Sequence, residues 1–238
     1  MSIYVNLRIR RNLKDREFKV LDKFDSRIPL AEGFIRDGIV DWRRFGAQTP
    51  RLVFVLRDPH CDTPARWSLS ELISIGNHSS EIGTWLSIAK WLSALRGETF
   101  SGNDPVKKAE LFSCVSVVNL KKTYGGYPTD IVKLDSFVSE FKDLLHDQFA
   151  VYKDVPTVFV CCGRDGKDLK HSVFNLFKSV FDAEEWVSCD DNMILLWGHC
   201  IAIDFRHPAN SKKRDSDRFV DLVTRAAEKL KAELPEGY

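Results

Sequence analysis

The stretch VFVLRDPHCDTPARWSLS, residues 53–70, joins an apolar run directly to a polar turn. Its first four residues are apolar, which predicts a strand that is buried on both faces of a sheet. The run stops at residues 57–60, Arg-Asp-Pro-His, where the proline stiffens the chain. Because α/β proteins place their sites at the carboxyl ends of parallel strands, this turn is the first candidate for a functional site.

Apolar runs of the same kind alternate with helical patterns along the rest of the chain. The predicted strands are residues 51–56, 112–120, 157–163 and 199–205. The predicted helices are residues 79–97, 130–148, 167–181 and 217–234. This alternation predicts an α/β fold, a three-layer α/β/α sandwich with a central, mostly parallel four-stranded sheet. Residues 1–50 are predicted to add an N-terminal strand and helix, so that residues 1–238 form a single domain with its motifs within 51–225.

The composition excludes several classes of protein. With 44% hydrophobic residues, 29% charged residues and a net charge of +1, the 238-residue chain is expected to fold and has no overall attraction to nucleic acid. No apolar run approaches the roughly 18 residues of a membrane helix, and the start of the chain lacks the apolar segment of a signal peptide. We therefore expect a cytoplasmic protein without membrane contact. The six cysteines form no C-x-x-C pair, so we expect no zinc or iron–sulfur site. We further expect no other metal, no cofactor and a monomer.

Polar residues follow all four predicted strands. Asp58 follows the first strand, and Asn119 ends the second with two lysines close behind it. Residues 163–166, Gly-Arg-Asp-Gly, follow the third strand, and residues 206–214, RHPANSKKR, follow the fourth. Parallel strands end at one edge of a sheet, so a carboxylate, an amide, an imidazole and several cations are expected to meet there. Each signal alone is common in turns and helix caps, and the prediction depends on all four occurring together.

Five short motifs carry a resemblance to a known family. In chain order they are LRDPH (56–60), RWSLS (66–70), NHSSEIGTWLSIAKWL (77–92), VVNLKK (117–122) and RHPAN (206–210). In order and in their placement at strand ends they resemble motifs of the uracil-DNA glycosylase superfamily. Those motifs are a strand ending in Gln-Asp-Pro-Tyr-His, a stacking aromatic, a phosphate-facing serine loop, a strand ending in Asn, and His-Pro-Ser-Pro. The resemblance covers roughly residues 50 to 225 and implies a DNA glycosylase of that fold.

The resemblance implies a role for each side chain. Asp58 would stabilise the oxocarbenium-like sugar and hold the attacking water, and His207 would stabilise the departing base. Asn119 would read the edge of a pyrimidine through one donor and one acceptor. Trp67 would stack on the flipped base, with a core tryptophan as the alternative. Phosphate contacts are predicted for Ser79, Ser80, Lys121, Lys122, Arg206, Lys212, Lys213 and Arg214.

Departures from the motifs of the family favour a modified base. His60 stands where uracil-specific members have the tyrosine that walls off C5 of the base, which would leave room for a substituent there. Residues 209–218 contain no large apolar side chain that could wedge into the base stack, Arg57 replaces a neutral residue, and residues 124–130 add a loop beside Asn119. The expected substrate is a C5-modified pyrimidine, such as hydroxymethylated or glucosylated cytosine in phage DNA. The expected enzyme is a monofunctional glycosylase that leaves an abasic site and serves antiviral defence.

Three alternatives stay open. A conventional uracil repair glycosylase, or a non-catalytic protein that binds DNA or a base on the same fold, would use the same strand ends. An unrelated α/β hydrolase would use Cys61 beside His60, but adjacent residues rarely place a thiol and an imidazole productively, and the sequence has no G-x-S-x-G elbow. Lys121 is the candidate nucleophile if a lyase step follows base release.

Overall fold

The structure is a computed structural model, and it describes residues 3–61, 63–75, 83–100, 104–126, 129–163, 172–190, 192–210, 212 and 214–233. The strands in these ranges are β1 (Phe34–Arg36), β2 (Gly38–Ile39), β3 (Arg51–Leu56), β4 (Arg66–Ser68), β5 (Val115–Asn119), β6 (Thr157–Cys162), β7 (Trp186–Asp190), β8 (Met193–Leu196) and β9 (Cys200–Phe205). The helices are α1 (Ile3–Arg27), α2 (Trp42–Phe45), α3 (Leu69–Ser74), α4 (Gly83–Leu95), α5 (Pro105–Phe112), α6 (Ile131–Glu140), α7 (Lys142–Ala150), α8 (Val173–Ser179) and α9 (Asp215–Glu233).

A mixed sheet of seven strands, in the order β2-β5-β3-β6-β9-β8-β7, forms the centre of the fold. The predicted α/β class is confirmed, but the sheet is larger than the four strands expected. The four predicted strands are the neighbours β5, β3, β6 and β9, which pair in parallel, and every residue in them is buried. The added strands lie at the two ends and pair antiparallel. Two of them, β2 and β7, are too short or too exposed to appear as continuous apolar runs.

Helices cover both faces of this sheet. Alternate residues of β3 point into two separate apolar clusters, as the twofold repeat of a strand requires. Val53 and Val55 pack in the cluster that contains residues of α1, α6, α7 and α8. Phe54 and Leu56 pack in the cluster that contains residues of α4, α5 and α9, where the Phe54 ring stacks on Phe219 with centroids 6.0 Å apart. Within the described ranges, no helix is both long and apolar enough to cross a membrane.

The start of the chain differs from the prediction. The sequence predicts an N-terminal strand, whereas residues 3–27 form the helix α1, and the short strands β1 and β2 come only afterwards. The helix forms because its buried residues recur at helical spacing and pack against the sheet and α7. The stabilisation from this packing exceeds the preference for a strand that the alternating apolar residues near the terminus indicate. These buried residues are Leu13, Val20, Leu21 and Phe24, with Ile28 just beyond the helix.

One carboxylate of α1 is buried in this interface. Glu17 accepts hydrogen bonds from the Tyr152 hydroxyl at 2.7 Å and from the Ile39 amide at 3.2 Å. Gly38 lets the carboxylate come this close, because a β-carbon there would lie 2.4 Å from Glu17 Oε1 and its φ is +115°. Burial raises the pKa of Glu17 to about 8, against the two hydrogen bonds, which lower it. The carboxyl group is therefore mostly protonated at neutral pH.

This raised pKa predicts a pH-dependent stability. Folded Glu17 keeps its proton up to about pH 8, whereas the unfolded chain releases it near the ordinary value, so unfolding releases a proton between these limits. The stabilising contribution is complete at acidic pH and is lost as the pH rises towards 8, with a slope of about 1.4 kcal/mol per pH unit. Glu17→Gln should remove that slope. Urea unfolding across this pH range measures it, and Glu32→Gln, at an exposed carboxylate, should leave it in place.

Candidate functional site

Asp58 and Asn119 lie beside each other at the carboxyl edge of the sheet. Strands β3 and β5 are neighbours, and Leu56 is the register partner of Asn119. The pairing continues beyond the strands, because the Leu120 amide donates to the Leu56 carbonyl at 2.9 Å and the Lys121 amide donates to the Arg57 carbonyl at 2.9 Å. Hydrogen bonds therefore join the main chain just before Asp58 to the main chain just after Asn119. This places the two residues at one edge of the sheet, as the sequence predicts.

The Asp58 carboxylate is partly buried and rigidly held. Its Oδ1 accepts from the Thr129 hydroxyl at 2.9 Å. Its other oxygen lies against the α-carbon of Gly125, where a β-carbon would meet Oδ2 at 1.9 Å, so any larger residue at that position would displace the carboxylate. Burial raises the pKa of Asp58 above its ordinary range, although the Thr129 hydrogen bond and then the charges of Lys121, Arg57 and His60 act in the opposite direction. A partly desolvated carboxylate with cations nearby is typical of a functional site.

The loop after β5 closes over this turn. The Gly125 amide donates to the Pro59 carbonyl at 3.0 Å, and the Cys61 amide donates to the Gly125 carbonyl at 3.4 Å. The preceding residue, Tyr124, is 37% exposed. Its carbonyl accepts from the Lys121 ammonium, which lies 5.7 Å from the centre of its ring. Tyr124 is thus an exposed aromatic side chain at the site. No strand-end motif marks Tyr124 in the sequence, and the only signal beside it is the glycine pair at 125 and 126, which indicates a close backbone approach.

The Asn119 side chain is buried and incompletely satisfied. The residue is 1% exposed, and its amide nitrogen Nδ2 has no hydrogen-bond partner among the described residues. A buried donor without a partner costs about 1–3 kcal/mol, and such groups are uncommon in folded proteins without a functional reason. A ligand that reached this amide with an acceptor of its own would satisfy the donor.

The two lysines after Asn119 are both buried. Lys122 is 0% exposed at its side chain and pairs with Asp37 at 2.8 Å, so the prediction that it contacts DNA phosphate is wrong. A buried ammonium needs a carboxylate partner, and the edge of the sheet beside β2 supplies one. Lys121 is 9% exposed and its ammonium donates to the Tyr124 carbonyl, which directs it into the loop at the site. Burial lowers the pKa of both lysines.

Trp67 and His60 both follow β3 in the chain but differ in burial. Trp67 lies in β4 opposite Ile35 of β1, is half-buried, and packs against the apolar cluster beneath β3, which corresponds to the core alternative. His60 is exposed and forms a bridge with Gly125 through the main chain. His60 therefore lies at the surface, two residues after Asp58.

His207 follows β9, and the sheet order puts β6 between β9 and β3. It therefore shares the edge with Asp58 but belongs to a strand about 10 Å away across the sheet. His207 is half-buried, and its Nδ1 accepts from the Ala209 amide at 3.3 Å. The turn that follows, Pro208–Asn210, packs against the start of α4, where the β-carbon position of Gly83 lies 3.8 Å from Ala209.

The remaining predicted phosphate contacts that the structure describes, Arg206, Lys212 and Arg214, lie between β9 and α9. Lys212 and Arg214 are exposed, and Arg206 Nε lies 3.7 Å from the buried carboxylate of Asp215. Ser79, Ser80 and Lys213 lie outside the described residues. Within the described part of the chain, no group of three His, Cys, Asp or Glu side chains is arranged to hold a metal ion. The cysteines at positions 61, 114, 161, 162, 189 and 200 are free.

Comparison of the chain with protein families, with curated proteins and with solved structures finds no match. The geometry of Asp58, Asn119 and the residues around them is therefore the basis for assigning a function.

Proposed function

We propose that this protein is a monofunctional DNA glycosylase that hydrolyses the N-glycosidic bond of a flipped pyrimidine. The single observation that carries the proposal is the pairing, at the ends of two adjacent parallel strands, of a partly buried carboxylate with an unpartnered buried amide. The carboxylate, Asp58, is suited to a developing positive charge on the sugar. The amide, Asn119, is suited to the polar edge of a base.

In the proposed reaction the Asp58 carboxylate orients a water molecule towards the anomeric carbon. The carbon–nitrogen bond to the base breaks and the base leaves with the electron pair. The water oxygen bonds to the sugar carbon, and the proton that the water loses passes to the Asp58 carboxylate and from there to the departing base. Because Asp58 is partly desolvated, its charge acts on the oxocarbenium-like transition state more strongly than it would in open water. The hydrogen bond from Thr129 and the contact with Gly125 fix its direction, so little reorganisation is needed.

Selection of the base falls to Asn119. The unpartnered Nδ2 donor requires an acceptor, and a pyrimidine edge offers carbonyl or ring-nitrogen acceptors. His60 is exposed beside the turn and stands where uracil-specific glycosylases have a tyrosine, and we propose that it admits a C5-modified substrate such as hydroxymethylated or glucosylated cytosine. His207, at the same edge, is proposed to stabilise the departing base, and the exposed Lys212 and Arg214 are proposed to contact phosphate.

Tyr124 is the proposed stacking partner of the flipped base, in place of Trp67. Stacking on an aromatic side chain contributes about 1–3 kcal/mol per base, so Tyr124→Ala should weaken DNA binding roughly tenfold to a hundredfold, while Tyr124→Phe keeps the ring and should bind like the parent. Trp67→Ala should instead lower the free energy of unfolding, since Trp67 packs on the core. Fluorescence anisotropy with DNA that contains the preferred base measures the binding, and each variant also carries Asp58→Asn so that the base is not released. If Trp67→Ala weakens DNA binding and Tyr124→Ala does not, Trp67 and not Tyr124 is the stacking residue.

The direct test of the function is base release. The purified protein is incubated with duplex and single-stranded DNA that carries uracil, hydroxymethylcytosine or glucosylated hydroxymethylcytosine, with and without a chelator, and alkali then converts abasic sites into strand breaks. Strand breaks, with the free base detected by chromatography, support the proposal. Preference for uracil would indicate a repair enzyme. Tight binding without release would indicate a binding protein. The absence of both binding and base release would refute the proposal.

A further inference from the structure

Asn119 is held by its main chain on both sides. The main-chain amide of Asn119 donates to Asp37 Oδ2 at 2.6 Å, and its main-chain carbonyl accepts from the Lys122 ammonium at 2.6 Å. Asp37 and Lys122 are joined to each other by contacts of 2.9 and 2.8 Å, and neither side chain is exposed. A single buried ion pair therefore spans the two peptide groups that flank the Asn119 side chain.

The position of Asp37 follows from the topology. Strand β2 pairs antiparallel with β5 as far as Gly38 opposite Val117, and continuation of this ladder would bring Arg36 opposite Asn119. The chain instead turns at Asp37 into β1, where Arg36 pairs with Ser68 of β4. The Asn119 amide thereby loses the carbonyl that a longer β2 would have offered. The carboxylate of Asp37 takes its place.

The ion pair is fully satisfied and firmly anchored. Gln148 Nε2 donates to Asp37 Oδ1 at 3.0 Å, and the Ile35 amide donates to the Lys122 carbonyl at 2.8 Å. Buried ion pairs contribute little net stability relative to apolar residues of similar size, because the desolvation of both charges offsets their attraction. Their best-supported use is to fix one geometry among several. Here the geometry that is fixed is that of Asn119.

We propose that Asp37 and Lys122 are positioning residues, which aim the Asn119 amide at the base without touching it. The inference deepens the proposed function and depends on it for the identity of the ligand. This role also explains why the Lys122 side chain, although close to the site in sequence, is buried against Asp37 and does not reach the surface. A shift of about 1 Å in a recognition group is enough to reduce a rate by up to a hundredfold.

The test uses a double variant that removes both charges and their hydrogen bonds to Asn119 at once, Asp37→Leu/Lys122→Met. The matched control is Tyr152→Phe, which removes hydrogen bonds to Glu17 and Ser116 in the same buried layer but none to Asn119. We expect the double variant to lose at least about tenfold in rate on the preferred base and little on a poor base, so that selectivity falls. Addition of Asn119→Ala should cost the double variant no further selectivity, since both changes remove the same interaction. An equal loss on both bases, as expected for Tyr152→Phe, would overturn the proposal.

A second measurement needs no substrate. Hydrogen exchange of the Asn119 main-chain amide, followed by NMR, should be at least about tenfold faster in the double variant than in the wild type and in Tyr152→Phe. Unchanged exchange would overturn the positioning role, whereas a wild type that releases no base would refute only the proposed function. If the double variant does not fold, Asp37→Glu keeps the ion pair and moves the acceptor by one methylene. Unaltered selectivity and exchange in Asp37→Glu would likewise overturn the proposal.

Discussion

Asp58→Asn should slow base release by a factor on the order of 10² or more and leave the folded protein as stable as the wild type or more so. Asparagine has the same size and can still accept the hydrogen bond from Thr129, so only the charge is lost. That charge is the feature proposed to stabilise the sugar cation in the transition state. The variant therefore separates chemistry from structure.

The stability part of this prediction follows from the sign of the pKa shift. Burial raises the pKa of Asp58 in the folded state, so ionisation of this group opposes folding. Stability should fall as the pH rises through the folded pKa of Asp58, and a neutral asparagine removes that dependence. Single-turnover kinetics and thermal unfolding measure the two effects. Asp41→Asn is the control, because it removes an equal charge from a helix cap that asparagine can also provide. Full activity in Asp58→Asn would remove Asp58 from the mechanism.

Asn119→Asp should reduce release of the preferred base by a factor on the order of 10² or more and change the order of preference among bases. The substitution keeps the shape but replaces the unpartnered Nδ2 donor by a second acceptor oxygen. A base that pairs through an acceptor would then face an acceptor, whereas a base with a donor at that point would be tolerated better. Relative rates on a panel of pyrimidines, each under single-turnover conditions, measure the change.

A control shows whether the effect of Asn119→Asp is local. Asn192→Asp makes the same chemical change at a half-buried turn between β7 and β8, at the far end of the sheet. It should leave the preference among bases as it is. If Asn119→Asp also keeps both rate and preference, Asn119 is a structural residue, and its buried amide needs another explanation.

The residues of the site that could be predicted from the sequence are those that follow the buried strands. Continuous apolar runs marked β3, β5, β6 and β9, and parallel pairing brought Asp58 and Asn119 together as expected. The runs are informative because a strand covered on both faces has to be apolar throughout. The short or half-exposed edge strands carry no such pattern, which is why the sheet has more strands than the sequence suggests.

Three properties of this protein were decided only by tertiary structure. Lys121 and Lys122 are the same residue type at neighbouring positions, yet one reaches into the loop of the site and the other is neutralised in the core by Asp37, 85 positions away. Tyr124 becomes the exposed aromatic of the site while Trp67 packs inwards, because Gly125 lets its loop close over the Asp58 carboxylate. Residues near the start form a helix because packing across α1 outweighs local alternation.

Sequence determines which segments must be buried, since burial depends on composition and period. Which partner satisfies each buried polar group depends on contacts between distant segments, and these exist only once the chain has folded.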